Sequence, residues 1–381
     1  MIAGEALLDA FINANILFFI GYGLWLVARY ALKAAGLKHA HSIQLNLLNA
    51  VFVAIIFAPL VAMIFNAAKK SGMTGGMNVN LSDMVVAYYL NGGFEMEASR
   101  FESLILTRDR FMLSVLTADG LIAQTAIAIF ATGLILGLVR LCTSVVCLRR
   151  IVAQSYEWRS CGRLRIRVSD RTLVPFSTRG LWHYYVVIPS HMLLSVHETK
   201  VAIAHELQHI RQGDLEWEVV LEALKPFFFL NPAFRAWKSE VEHLRELNCD
   251  AKVLSRGRIN VRDYCETLLS VCQKTLRKDR AFLLAVPKVT LVTADRTSLF
   301  EERRSFLERR ILSALELRRP TARPLLFIAV CVPLLAAMSM STLSIQQPGD
   351  WSHDRLMLST VVNLERLEKI NKLSTFGRIR D

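Results

Sequence analysis

Charged residues make up only 21% of this 381-residue chain, and four long stretches contain no Asp, Glu, Lys or Arg at all. They are Ala10–Ala28, His41–Ala68, Gly120–Val139 and Pro324–Ile345. Each has about 20 residues or more, enough to cross roughly 30 Å of hydrocarbon as a helix. With 53% hydrophobic residues and a positive mean hydropathy, the composition excludes an ordinary soluble enzyme. The first stretch lacks what a secretory signal needs. Glu5 and Asp9 stand where a basic segment belongs, and no small-residue cleavage site follows, so it is read as a span.

Cysteine is sparse and has no framework pattern. Cys142, Cys147 and Cys331 lie in or beside the apolar stretches, while Cys161, Cys249, Cys265 and Cys272 lie between the third and fourth. Within that segment no pair has zinc-knuckle spacing, which predicts reduced thiols, no disulfides and no cysteine-bound metal. The net charge of +13 is carried mostly by the same segment, without a helix-turn-helix or an aromatic-basic RNA motif. No direct nucleic-acid partner is expected, and anionic inner-leaflet lipid is the expected neighbour of the basic surface.

The basic residues also orient the chain. Arg29, Lys33 and Lys38 follow the first span, Arg140, Arg149 and Arg150 the third, and Arg318, Arg319 and Arg323 precede the fourth. These sides are read as cytoplasmic, against the dissent of Lys69, Lys70, Arg108 and Arg110 in the outer loop. The expected layout has two spans with a short cytoplasmic loop at 1–68, an extracytoplasmic loop at 69–119 and a third span at 120–148. A cytosolic domain at 149–323, a fourth span at 324–345 and an extracytoplasmic tail at 346–381 complete it, with both termini outside.

The cytosolic segment opens with strand-like "RLRIRV" and "HYYVVIP" and is then helical, an α+β order. "SVHETKVAIAHELQHIRQGD" starts with a capping box, Ser195 and Glu198, and Gly213 closes the helix. His205 and His209, four residues apart, project from one helix face and can share a metal ion. Glu206 beside them can take a proton from a metal-held water attacking a peptide carbonyl. A catalytic zinc wants a third protein ligand. The next helix, "NPAFRAWKSEVEHLRELNCDAKVLSRG", has Asn231 as N-cap, Pro232 at its first position and Gly257 at its end. Of Glu240, Glu242, His243 and Glu246 on it, Glu246 ranks first, because Asp250 one turn on can accept the free ring N–H of a ligating histidine. Glu240 and Glu242 are expected on a solvated face and His243 at the surface. The group facing the developing oxyanion stays open among His183, Tyr184, Tyr185 and His243.

Outside, "DRLMLSTVVNLERLEKINKL" repeats Met357, Val361, Leu364, Leu367 and Ile370 at near-helical spacing, an amphipathic helix docked on membrane, outer loop or partner. "SRFESLILTRDRFMLSVLTA" reads the same way. Gly133 and Gly137 in the third span fit close packing within one molecule as well as self-association.

Taken together, "VPFSTRG", "VVIP", "HELQHIRQGD", "ELNCDAKVL", "ERRSFLERRI" and the order of three spans, peptidase and fourth span resemble the BlaR/MecR-type integral-membrane zinc peptidases. The resemblance reaches from the start to about residue 345. It implies a multi-pass α-helical membrane protein with an inserted gluzincin-type domain in the bacterial inner membrane. His205, His209 and Glu246 would hold Zn2+, with Glu206 as general base and Asp250 as supporting acid. An outer event would switch on cleavage of a cytosolic repressor, of the chain itself, or of both. After the fourth span the best-known members carry a penicillin-binding sensor; the 346–381 tail has no Ser-x-x-Lys or Lys-Thr-Gly, so none is expected there. Two rivals are a constitutive quality-control peptidase similar to the HtpX-type proteins and a receptor with an inert zinc site.

Overall fold

A computed structural model describes residues 2–71, 80–277, 300–316, 324–345 and 353–377. Four helices are long and apolar enough to cross a membrane: α1 (Ile2–Ala34), α2 (His41–Lys70), α6 (Leu121–Ala153) and α12 (Pro324–Ser344). They coincide with the four uncharged stretches. The third runs past its apolar part, because nothing after Val139 breaks a helix and the basic residues from Arg140 onward continue it. Arg318, Arg319 and Arg323 lie outside the described residues.

The chain divides into two compact units. The first holds Met1–Ala28, Asn49–Phe130 and Leu325–Asp381. It includes three short helices, α3 (Leu81–Leu90), α4 (Ala98–Ile105) and α5 (Thr107–Thr117), and the tail helix α13 (His353–Gly377). Arg108 pairs with Asp9 and donates to the Asn13 side chain at 2.8 Å and to the Ile345 carbonyl at 3.0 Å. That bond set satisfies a carboxylate that would be costly on an apolar helix. The tail helix docks on the segment between the second and third apolar helices, as one of the expected arrangements had it, but on a neighbouring stripe. Leu358 and Val362 bury against Val86, Ala98 and Phe101, while Leu364, Leu367 and Ile370 stay exposed. The Glu365 carboxylate accepts from the Ser99 N–H at 3.1 Å and fixes that rotation.

The second unit holds Arg29–Leu48 and Ala131–Pro324. Its sheet has strands β1 (Tyr156–Cys161), β2 (Leu164–Ser169), β3 (Phe176–Arg179) and β4 (Tyr184–Pro189) in the order β1-β2-β4-β3. β2 and β4 run parallel; β1 and β3 pair antiparallel at the two edges. Ile166, Val186 and Ile188 of the sheet pack with Val201 and Ala202 of α7 (Val196–Gln212). A short helix, α8 (Asp214–Leu224), leads to the long α9 (Pro232–Ser255), followed by α10 (Val261–Arg277) and α11 (Phe300–Leu315). Cys249, Val253, Leu254, Tyr264, Leu268, Val271 and Ala314 complete that core. Gly133 and Gly137 are used inside the molecule: an added Cβ would stand 2.1 Å from the Phe229 ring at one and 3.0 Å from Pro226 at the other. The loop between α1 and α2 belongs to this unit, where Arg29 meets Glu240 at 2.9 Å.

Candidate metal centre

The helix that carries the histidines is capped as its sequence predicts. The Ser195 hydroxyl accepts from the Glu198 N–H at 3.3 Å, and Gly213 takes φ +72°, a left-handed conformation that side chains resist. α9 begins the same way, with the Asn231 side chain accepting from the Phe234 N–H at 3.1 Å and Pro232 in the first turn. Each cap fixes where its helix begins.

His205, Glu206 and His209 are fully buried, and Glu246 is nearly so. The Nε2 atoms of the two histidines lie 3.0 Å apart, and Glu246 places Oε2 at 3.5 Å from one and Oε1 at 3.5 Å from the other. Donors about 2.1 Å from one tetrahedral ion stand about 3.4 Å apart. The Nε2–Nε2 separation of 3.0 Å and the two nitrogen–oxygen separations of 3.5 Å lie close to that edge, so the donor set fits zinc. Cys249 also stands within reach of both histidines, with its Sγ 3.5 Å from the His205 carbonyl and 3.6 Å from Nδ1, while Glu246 places an oxygen 3.5 Å from each Nε2 atom.

Each histidine is backed on its other nitrogen. His209 Nδ1 lies 2.8 Å from Asp214 Oδ2. His205 Nδ1 lies 2.9 Å from the Tyr264 hydroxyl, which in turn donates to Asp250 Oδ1, itself 3.4 Å from Nδ1. Both networks put the ring proton on Nδ1 and turn the Nε2 lone pairs inward. Burial opposes charge on these rings, yet Cys249, Glu246 and Asp214 outweigh it, pushing His205 up to about 10 and His209 well above the usual imidazole value. Two nitrogens 3.0 Å apart cannot both carry protons. Glu246 is held down at about 2: burial opposes its ionisation, and Arg310 and the imidazoles override that.

Glu206 accepts at Oε2 from the Ser177 hydroxyl at 2.7 Å, while Oε1 is buried without a hydrogen-bond partner. Burial raises its carboxyl above the usual range, which makes it a better proton acceptor. His205, Glu206, His209 and Glu246, with Asp250 close by, thus form a zinc-peptidase active site.

Two expectations about α9 need correction. Glu242 is not solvated: it reaches the buried Lys238 ammonium, which also meets Glu218 at 3.1 Å and Glu222 at 2.9 Å. Three carboxylates around one lysine make an internal ion pair out of what looks like a surface face. Glu240 is engaged by Arg29, and the His243 ring lies tilted against Phe306 with centroids 4.4 Å apart, half-buried rather than on the surface. Among the oxyanion candidates, Tyr184 spends its hydroxyl on Glu216 at 2.6 Å, and His183 Nε2 lies 3.4 Å from Arg165.

Sequence reasoning missed Asp214, Tyr264, Arg310 and Ser177. Asp214 had a signal, an acid directly after the helix-closing glycine and five residues from His209. Ser177 and Arg310 sit inside quoted motifs without a spacing that reveals their partners, and Tyr264 had none.

No curated protein matches the chain. The family described as BlaR1 peptidase M56 matches residues 9–290, which covers the first three spans, the sheet and both zinc-site helices. The match spans well over half of the chain, and this protein belongs to that family.

Proposed function

We propose that this membrane zinc endopeptidase of signal transduction cuts a cytosolic regulator of the DNA-binding repressor class, itself, or both, with His205, His209 and Glu246 as zinc ligands. Asp250 supports the set from behind. The observation that carries the reading is the convergence of both Nε2 atoms and both Glu246 oxygens beside an unpartnered, buried Glu206 Oε1. Zinc, when bound, lowers the pKa of a coordinated water and polarises the scissile carbonyl. Glu206 Oε1 then takes the proton of the attacking water and returns it to the leaving amine, while Ser177 holds Oε2 in place. β3 is the edge strand of the sheet and carries Ser177.

The basic flanks of the spans support a bacterial inner-membrane setting with the peptidase at 149–323 in the cytosol, the 69–119 loop and the 346–381 tail outside, and both termini extracytoplasmic. Boundaries at 1–68, 120–148 and 324–345 for the spans follow from the same residues.

The test is Glu206→Gln. The variant is expected to keep its zinc and lose proteolysis by about 10²–10⁴-fold. Mapping new protein N-termini in cells with wild type and variant names the substrate. One or two Glu206-dependent termini support a signalling peptidase, many indicate broad quality control, and cleavage retained by the zinc-loaded variant overturns the reading.

A further inference from the structure

Two acids of the site share one cation. Arg310 on α11 is 2% exposed, and its Nε and Nη2 donate to Oδ2 and Oδ1 of Asp250 at 2.7 Å each. Its Nη1 stands 3.1 Å from Glu246 Oε2. Only a planar guanidinium can grip one carboxylate with two bonds and face a second with its remaining nitrogen; an ammonium offers a single point of charge. Glu246 and Asp250 are one turn apart on α9 and both buried, so without a cation between them they would repel.

A buried ion pair often contributes little net stability, because desolvation cancels much of the attraction. What this one supplies is direction. With the Nη1 charge 3.1 Å from Oε2, Glu246 keeps one oxygen 3.5 Å from each Nε2 atom. With Asp250 held by two bonds, the Tyr264 hydroxyl and the His205 ring behind it are fixed as well.

The geometry points to Arg310 as a positioning residue of the zinc centre, the link through which the helix preceding the fourth span sets the aim of Glu246 and His205. α11 ends at Leu315 and α12 begins at Pro324, so the two are close neighbours in the chain. The same helix is anchored elsewhere in its unit: Ser313 Oγ lies 3.2 Å from His41 Nε2 at the start of α2, and Leu307 and Ile311 pack on the core. A displacement of α11 therefore moves Arg310 against both acids and loosens the ligand triangle. This regulation rests on the zinc-peptidase reading above.

The experiment compares wild type, Arg310→Met and Arg310→Lys as full chains in detergent. Zinc affinity is measured by competition with a chromophoric chelator, the visible spectrum of the cobalt(II)-loaded form is recorded, and the metal-free melting temperature controls for folding. Arg310→Met is expected to weaken zinc binding by about 10–100-fold and to alter the cobalt spectrum, with Arg310→Lys recovering part of both. Wild-type affinity and spectrum in Arg310→Met overturn the proposal. If that variant does not fold, Arg310→Lys decides: weaker zinc binding at an unchanged melting temperature supports the proposal, and wild-type affinity overturns it. A wild type that binds zinc but cleaves nothing ends the peptidase reading alone, and the affinity comparison still decides the role of Arg310.

Discussion

His205 and His209 sit on one helix with their Nε2 atoms 3.0 Å apart, but they are supported in different ways. His209 is held by Asp214, five residues on, through a direct carboxylate contact of 2.8 Å. His205 is held by Tyr264 from α10 and, behind it, by Asp250 from α9 and Arg310 from α11. One support is local and built by a single turn at Gly213; the other is assembled from three helices. The local support is set as soon as α7 closes. The distributed one exists only when α9, α10 and α11 are all in place, which makes it the half of the site that a distant movement can reach.

The local half nevertheless ends in a demanding structure. Asp214 lies 3.6 Å from Arg245 Nε, Arg245 donates to Glu218 at 2.6 Å, and Glu218 shares Lys238 with Glu222 and Glu242. Burial works against the charges of Glu218 and Lys238, yet Lys238 and Arg245 hold Glu218 down at about 2, and its partners raise the Lys238 pKa. Lys238→Met strips three carboxylates of their shared cation, and breaking such a buried pair costs about 3–5 kcal/mol. Denaturant unfolding should show this as the largest loss of stability among these substitutions. A loss within about 0.5 kcal/mol, the size of an ordinary surface change, would mean that water reaches the cluster and that the local half does not depend on it.

A smaller effect is expected where the local half meets the site. Asp214→Ala removes the acceptor of the His209 ring proton and leaves Arg245 short of a partner. Zinc affinity, read by chelator competition, should fall about 10–100-fold, with cleavage falling alongside it. Unchanged affinity would show that the helix alone orients His209.

The same division governs what the sequence discloses. Features that close within a few residues were legible: the Ser195 and Asn231 caps, Gly213, the shared face of His205 and His209 on α7, and the placing of Glu246 and Asp250 one turn apart on α9. The four spans were legible because a run without charge is itself the signal. Features that depend on distant partners were not. Arg310 is 60 residues from the aspartate it grips, and in sequence it is one of several arginines on a polar helix. Glu242 looks like the wet side of a helix until Lys238, four residues earlier on the same face, turns inward to meet it and α8 covers the pair. β1 was invisible because its six residues are all exposed, so no alternation marks it, and β3 has only four residues.

The smallest expected effect tests the distributed half directly. Tyr264→Phe keeps the ring that packs in the core and deletes only the hydroxyl between His205 and Asp250. Asp250 Oδ1 already lies 3.4 Å from Nδ1, so a shift of a few tenths of an ångström lets the carboxylate replace the lost contact. Arg310 limits that shift, because its two bonds hold Asp250 in place. The expected result is a loss of zinc affinity of about tenfold, the lower end of the range for such partners and less than for Asp214→Ala. A loss larger than that of Asp214→Ala would reverse the comparison and make Tyr264 the principal support of the site. No loss at all would mean that Asp250 holds His205 without an intermediary, and that the two halves of the site are built alike.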